Sequence, residues 1–227
     1  MCTLCKLNNL MILITSLITI CCSQKKNCDF RIEKAQMSYN NKDFKKAIDY
    51  SSYCINTCPG LLNAYLLRGK SYYFIEEFRN AVTDLRILTQ ADSLNTSALY
   101  YLGVSYYYLE KDDSAVLSYD KAIKTKGNDS IFTEFNEKYK DYLEDISMSQ
   151  IKYHRAIANY QLGNNELALK DFNFAINNNF NKGSCYSYIG LMALYNGNSK
   201  MACKFLNEAI KYGEISATKY LPSNCED

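Results

Sequence analysis

The stretch that decides the fold reads Leu99-Tyr100-Tyr101-Leu102-Gly103-Val104-Ser105-Tyr106, and Ala115, Tyr119 and Ala122 follow it. In the first segment a small residue, Gly103, lies beside large apolar residues on one helical face. In the second segment, small and aromatic residues recur at i, i+4 and i+7, which is the spacing of a helix that packs closely against a neighbour. The stretch therefore predicts helices in close contact.

The same pattern recurs along the chain at intervals of 34 residues. Gly69 and Ala81 lie one interval before Gly103 and Ala115, and a further copy precedes them. Downstream the interval fails once, after residue 129, and then resumes for two more copies. An alanine at the same place in the second helix is found in all five copies: Ala47, Ala81, Ala115, Ala168 and Ala202.

This arrangement resembles the tetratricopeptide repeat family, whose pattern is an aromatic residue, Leu-Gly, Tyr, Ala, Phe and then Pro. Leu99, Leu102-Gly103, Tyr106, Ala115 and Tyr119 occupy the corresponding places. The resemblance implies an all-α fold, an α-solenoid of about five helix-turn-helix repeats, because one repeat cannot bury its apolar face alone. We expect a single domain over residues 28–227, with repeats at about 28–61, 62–95, 96–129, 149–182 and 183–216, and a C-terminal cap at 217–227.

Charge and histidine content exclude several classes of function. The 227 residues carry a formal net charge of +2, which gives no reason to expect a nucleic-acid partner. The one histidine, His154, has no acidic partner fixed by spacing, so we predict no enzyme activity, no metal site and no cofactor.

The N-terminus indicates export. The apolar run from Leu10 to Ile20 follows a basic start and is too short to span a bilayer, as in a signal peptide. Together with the cysteine pair that follows, it resembles a bacterial lipoprotein signal, which implies a signal peptide over residues 1–21, lipidation at Cys22 (alternatively Cys21) and a short linker over 22–27. The alternative is a plain secretory signal.

Six cysteines remain in the mature chain, and an even number is compatible with disulfides in an oxidising compartment. Three lie near each end: Cys28, Cys54, Cys58, Cys185, Cys203 and Cys225. A bond from Cys28 to Cys54 or to Cys58 is plausible, but the sequence does not determine the connectivity.

The interrupted interval indicates a helical insertion over residues 130–148. Apolar residues continue from Phe135 to Tyr160 at alternating spacings of four and three. We therefore expect the first helix of the fourth repeat to extend N-terminally to about 30 residues, or about 45 Å. The alternative is a separate helix with a break near Ser147-Met148-Ser149.

Tyrosines recur on the first helices, which in this family line the concave surface. Two interpretations stay open: a tyrosine-lined groove for a peptide or partner helix, or tyrosines packed between helices. Lys70 also lies on this face, but alone it does not form the carboxylate clamp of some family members. The candidate groove residues are Tyr39, Tyr73, Tyr100, Tyr107, Tyr153, Tyr160 and Lys70.

The sequence thus predicts a non-catalytic scaffold or adaptor that binds an unidentified protein partner. The signal and the cysteine pair add the expectation of an exported cell-envelope lipoprotein, attached to a membrane through its lipid. The alternative is a lipoprotein that binds glycans or another small ligand at the outer membrane.

Overall fold

The computed structural model describes residues 25–126, 146–223 and 225, and these ranges contain helices and no strand. The ten α-helices in them confirm the all-α fold. Their bounds are α1 (25–40), α2 (Phe44–Thr57), α3 (Leu62–Phe74), α4 (Phe78–Ala91), α5 (Thr96–Tyr108), α6 (Asp112–Thr125), α7 (Met148–Gln161), α8 (Asn165–Asn177), α9 (Lys182–Tyr195) and α10 (Ser199–Lys211).

Each odd-numbered helix is joined to the next even-numbered one by a turn of three residues. The middle residue of every such turn has a left-handed backbone, with φ between 56° and 75°. Glycine adopts this conformation without steric cost, whereas other residues are strained in it. The five middle residues are Lys42, Glu76, Glu110, Gly163 and Gly197.

Small residues allow the paired helices to approach closely. All five alanines of the second helices have no exposed surface. At Gly103 an added Cβ atom would lie 2.6 Å from the ring of Tyr119, and at Gly69 it would lie 2.8 Å from Leu85. These contacts leave no room for a side chain, which explains why the sequence pattern is so regular at these positions.

The chain divides into two compact units, one ending at Ala91 and the other beginning at Asp92. The first unit contains α1 to α4. The second contains α5 to α10, and its largest buried side chains include Tyr119, Phe172 and Leu206.

The first helix of the fourth repeat does not extend through the insertion, so that expectation was wrong. Helix α7 begins at Met148, and Ser147 before it has an extended backbone with φ −70° and ψ 151°. The Ser147 side chain accepts a hydrogen bond from the backbone N–H of Gln150 at 3.1 Å and thereby caps the helix. Residues 127–145, which hold most of the predicted insertion, lie outside the described residues.

Four of the six candidate cysteines form disulfides, Cys28–Cys58 in the first unit and Cys203–Cys225 in the second. The other two, Cys54 and Cys185, are free and buried. Cys54 lies on α2, which Cys58 caps, and its thiol donates a hydrogen bond to the Cys28 carbonyl oxygen at 3.5 Å. Burial raises the pKa of the Cys185 thiol to about 12, so this thiol is unreactive at neutral pH.

A short 3₁₀ helix, Ile215–Tyr220, closes the second unit. Its Ala217 is fully buried against Ala202, Leu206 and Ala209 of α10. The Cys203–Cys225 bridge fastens the following segment to the same helix. In the described ranges, no helix combines the length and the apolar character that crossing a membrane requires.

Candidate functional site

Three tyrosines from successive first helices of the second unit pack against one buried core cluster, which includes Phe172 and Ile189. They are Tyr107 of α5, Tyr160 of α7 and Tyr188 of α9, and we call them the tyrosine band. The rings of Tyr160 and Tyr188 meet edge to face with centroids 5.2 Å apart. Burial raises the pKa of Tyr188, and the neighbouring hydroxyls of Tyr107, Tyr153 and Tyr160 raise it further, so the Tyr188 phenol is neutral at physiological pH.

The hydroxyls of the tyrosine band make no hydrogen bond within the described residues, and none belongs to the fully buried polar atoms. All three side chains are half-buried, with the ring in the core and an edge at the surface. A phenol in this position offers apolar area together with a donor and an acceptor. The band can therefore bind a ligand both by contact and by hydrogen bonding.

The helices that carry the band present little charge. Helix α5 contains no charged residue. On α7 and α9 the lysine and arginine side chains are directed elsewhere: Lys152 lies over the Phe174 ring at 3.6 Å, Lys182 over the Tyr212 ring at 5.1 Å, and Arg155 binds carboxylates. These three helices therefore place little charge beside the band, although Glu214 lies near enough to raise the pKa of Tyr188 further.

Two further predicted groove residues, Tyr100 and Tyr153, are buried beneath this surface, with 4% and 8% of their area exposed. The Tyr153 hydroxyl lies 2.8 Å from the Ser184 hydroxyl, and the Tyr100 hydroxyl accepts a hydrogen bond from Gln150 Nε2 at 2.9 Å. These two tyrosines therefore fit the packing interpretation. Of the predicted residues in this unit, Tyr107 and Tyr160 are the ones that reach the surface.

His154 is packed among aromatic rings rather than beside a carboxylate. Its ring lies 5.4 Å from Tyr100 and 5.1 Å from Tyr153, and its Nδ1 is 2.9 Å from the Gln150 carbonyl oxygen, to which it donates as Nδ1–H. Burial lowers the pKa of His154, so the neutral imidazole predominates at neutral pH.

In the first unit, Tyr39, Tyr73 and Lys70 belong to an aromatic cluster. Phe44 and Phe74 stack at 4.8 Å, and Tyr39 meets both rings edge to face. Tyr73 lies against Phe74 at 5.0 Å. The Lys70 ammonium is buried 4.6 Å from the centre of the Tyr39 ring, where a cation–π contact stabilises it. Here the tyrosines serve mainly to join helices.

Sequence reasoning missed two arginines that join neighbouring repeats. Arg68 binds Asp84 through two hydrogen bonds of 2.7 and 2.8 Å and reaches Ser52 at 3.1 Å. We call Arg68, Asp84 and Ser52 the first arginine bridge. The hydrogen bond to Asp84 is the main cause that raises the pKa of Arg68.

The second arginine bridge has the same geometry in the second unit. Arg155 binds Asp171 at 2.7 and 2.9 Å and reaches Asp120 at 2.6 Å. Burial lowers the pKa of Arg155, but the hydrogen bonds to the two carboxylates more than offset this and raise it overall. In both bridges an arginine of a first helix connects its own second helix to that of the preceding repeat.

Tyr188 was also missed, because it lies one residue beyond the place that the 34-residue interval marks from Tyr153. The lipidation candidates Cys22 and Cys21 lie outside the described residues. Among the residues that the structure describes, no cluster of histidine, cysteine and carboxylate side chains is arranged to hold a metal ion.

A family model described as "Tetratricopeptide repeat" matches residues 97–125. This range is the third helix pair, α5 and α6, which contains the Gly103 and Ala115 positions of the 34-residue repeat pattern. Among curated proteins, DnaJ protein P58IPK homolog B of Oryza sativa subsp. japonica is 28% identical over 94 residues, and DnaJ protein P58IPK homolog of Arabidopsis thaliana is 27% identical over 103 residues. These matches cover 41% and 45% of this chain, which spans about a fifth of the length of those relatives.

Solved structures resemble a larger part of the chain. A structure of MamA protein gives a TM-score of 0.68 at 18% identity and covers 87% of this chain and 98% of its own. YrrB, described as a TPR protein with an unusual peptide-binding site, gives 0.67 at 17% identity with coverages of 84% and 89%. PilF of Pseudomonas aeruginosa gives 0.59 at 15% identity, with coverages of 84% and 78%. The chain thus has the fold of a tetratricopeptide-repeat solenoid.

Proposed function

We propose that this protein is a non-catalytic scaffold that binds an uncharged segment of a protein partner at the tyrosine band. The observation that carries the proposal is the row of Tyr107, Tyr160 and Tyr188 on three successive first helices, with hydroxyls that make no hydrogen bond to the described residues. YrrB, a chain of the same fold, is described as having a peptide-binding site, which supports a peptide as the class of ligand.

The low charge that α5, α7 and α9 place beside the band favours an uncharged partner segment. Binding to a charged groove depends on salt, whereas apolar contact and neutral hydrogen bonds depend on it little. We therefore expect the partner segment to carry apolar and amide or hydroxyl groups, and its affinity to change little between low and high salt.

A peptide library displayed on phage and selected on the full chain tests the proposal. Selected peptides are then titrated by fluorescence anisotropy against Tyr107→Ala, Tyr160→Ala and Tyr188→Ala. Each variant should weaken binding about tenfold, because a tyrosine at a binding centre contributes about 1 kcal/mol or more. Tyr195→Ala is the matched control, since Tyr195 ends the same helix as Tyr188 and is 85% exposed.

Equal loss in the control and the band variants contradicts the proposal, as does unchanged binding in all of them. Specific binding to a glycan array, with no peptide selected, would favour the alternative of a glycan-binding protein.

We further propose that the chain is exported and anchored to an envelope membrane by lipid at Cys22. The support is the lipoprotein-like sequence before Cys22 and the pair of disulfides, because stable disulfides are typical of oxidising compartments. Metabolic labelling with radioactive palmitate tests this. Label should enter the wild-type chain and be lost in Cys22→Ala but kept in Cys21→Ala; loss in Cys21→Ala alone moves the anchor there, and no incorporation refutes it.

A further inference from the structure

A cavity of about 360 Å³ lies between α8, α9 and α10 in the second unit. Its lining is mostly apolar and includes Leu169, Ile189, Met201 and Phe205. Leu169 and Met201 are 40% and 48% exposed, so the lining of the cavity reaches the surface at these residues. No residue of the tyrosine band lines it, and it is therefore separate from the site proposed above.

The cavity occupies the place where a third arginine bridge would lie. One repeat after Arg155, Asp171 and Asp120 of the second bridge, the corresponding residues are Ile189, Phe205 and Asn173. All three line the cavity. An isoleucine does not extend across the gap between two second helices as an arginine does, so the space that Arg155 fills in the fourth repeat is empty in the fifth.

The polar lining indicates which ligands fit. Glu166 is the one acidic residue in the lining, no basic residue lines the cavity, and the amides of Asn165, Asn173 and Asn196 accompany Glu166. An apolar cavity of this size, with a few polar groups at its edge, is typical of small-molecule sites. A carboxylate at the edge favours a cationic group and disfavours an anionic one.

We propose that this cavity binds a small organic cation, whose apolar body fills the space of the missing arginine and whose amino group lies towards Glu166. The ligand would fill part of the space that the Arg155 side chain fills one repeat earlier, but its charge would face Glu166 and not the carboxylates of a bridge. This site is independent of peptide binding at the tyrosine band, and either proposal can fail without the other.

The test compares three probes that share one ring and differ in charge: benzylamine, benzyl alcohol and benzoate. Each is titrated into the full ¹⁵N-labelled chain, and amide shifts on α8, α9 and α10 are followed by NMR. Benzylamine should saturate with a dissociation constant of about 1 mM or below, as expected for a ligand of this size. Its affinity should exceed that of benzoate about two- to fivefold, the effect of one partly exposed charge.

Two variants and a matched control assign the binding to this cavity. Leu169→Arg places a long cation at the opening and should abolish benzylamine binding. Leu167→Arg is the control on the same helix, because Leu167 is exposed but does not line the cavity. Glu166→Gln should remove the preference for benzylamine over benzyl alcohol and leave the affinity for benzyl alcohol unchanged.

Several outcomes overturn the proposal: no saturable shift with benzylamine, benzoate binding as tightly as benzylamine, or unchanged binding in Leu169→Arg.

Discussion

The second and fourth helix pairs have the same arginine bridge, and three of the positions at which they differ bear on its charge and on stability. Arg68 in the second pair and Arg155 in the fourth each bind one aspartate through two hydrogen bonds. Each arginine also has an outer partner on the second helix of the preceding repeat, which is Ser52 for Arg68 and Asp120 for Arg155. The first arginine therefore contacts a single carboxylate, whereas the second contacts two.

The other two differences lie on the first helix of each pair and in the turn that follows it. His154 in the fourth pair corresponds to Leu67 in the second, and Gly163 in the fourth turn corresponds to Glu76 in the second. The turn of the second pair is strained and that of the fourth is not, because only glycine accepts a positive φ without cost. One repeat geometry thus tolerates different electrostatics while its small core residues stay fixed.

The largest expected effect comes from removing the arginines. Arg155→Met leaves the buried Asp171 and the nearby Asp120 without a counter-ion and should cost about 3–5 kcal/mol of unfolding free energy. Arg68→Met leaves Asp84 alone and should cost about 3 kcal/mol. Urea denaturation followed by circular dichroism measures both.

The double variant Arg155→Met/Asp171→Leu serves as the control and should recover most of the loss, because it removes the unpaired charge. A loss for Arg68→Met as large as that for Arg155→Met, or larger, would contradict the role of the second carboxylate.

Acid should destabilise the fourth pair through His154. Its pKa is lowered in the folded state, so below about pH 6.5 the unfolded chain binds a proton that the folded chain does not. Stability is therefore lost as the pH falls, by about 1.4 kcal/mol for each unit of pKa lowering. His154→Leu, which introduces the residue of the second pair, should reduce the decrease in melting temperature between pH 7.5 and 5. An identical decrease in both proteins refutes this explanation.

Exchanging the turn residues should move stability in opposite directions. Gly163→Glu forces a side chain into the left-handed region and should cost about 1 kcal/mol. Glu76→Gly removes that strain but adds freedom to the unfolded chain, so a gain of only about 0.3 kcal/mol is expected. Thermal unfolding of the two variants is the measurement, and a stabilised Gly163→Glu protein would contradict the assignment of strain.

Replacing the outer partners of the bridges should have a smaller effect than Gly163→Glu. Asp120→Asn and Ser52→Ala should each cost about 0.5 kcal/mol. They should differ in salt dependence, because the Asp120 side chain is 40% exposed and its charge is screened. Repeating the urea denaturation in 1 M NaCl should reduce the loss of unfolding free energy for Asp120→Asn but not for Ser52→Ala. Equal salt effects on the two variants would contradict a charge-dependent contribution of Asp120.

Much of the fold could be predicted from positions where only a small side chain fits between two helices. Ala115 and Gly103 lie where helices touch, so their spacing reports the repeat directly. The long first helix of the fourth repeat was wrongly expected because an apolar stripe keeps its phase across a helix start. The Ser147 cap is a local hydrogen bond that such periodicity does not detect.

The candidate site was predicted less completely. The interval marked Tyr107 and Tyr160 as candidates but did not separate them from the buried Tyr100 and Tyr153, since burial depends on neighbouring helices and not on position in the repeat alone. The arginine bridges escaped notice because charged residues are not part of the repeat pattern. The sequence nevertheless contains a pattern that could have predicted them, because an arginine precedes an aspartate by 16 residues in both pairs.

The two disulfides limit how far the molecule can be stretched. Cys28–Cys58 and Cys203–Cys225 enclose sequence separations of 30 and 22 residues, and a force applied to the chain ends cannot extend the segments between the bonded cysteines. In optical tweezers, the fully unfolded chain should therefore lengthen by about 170 Å when a reductant is added, at about 3.4 Å per released residue. Near each end, then, tension would pass through a covalent bond before it reaches the helices that the bond encloses.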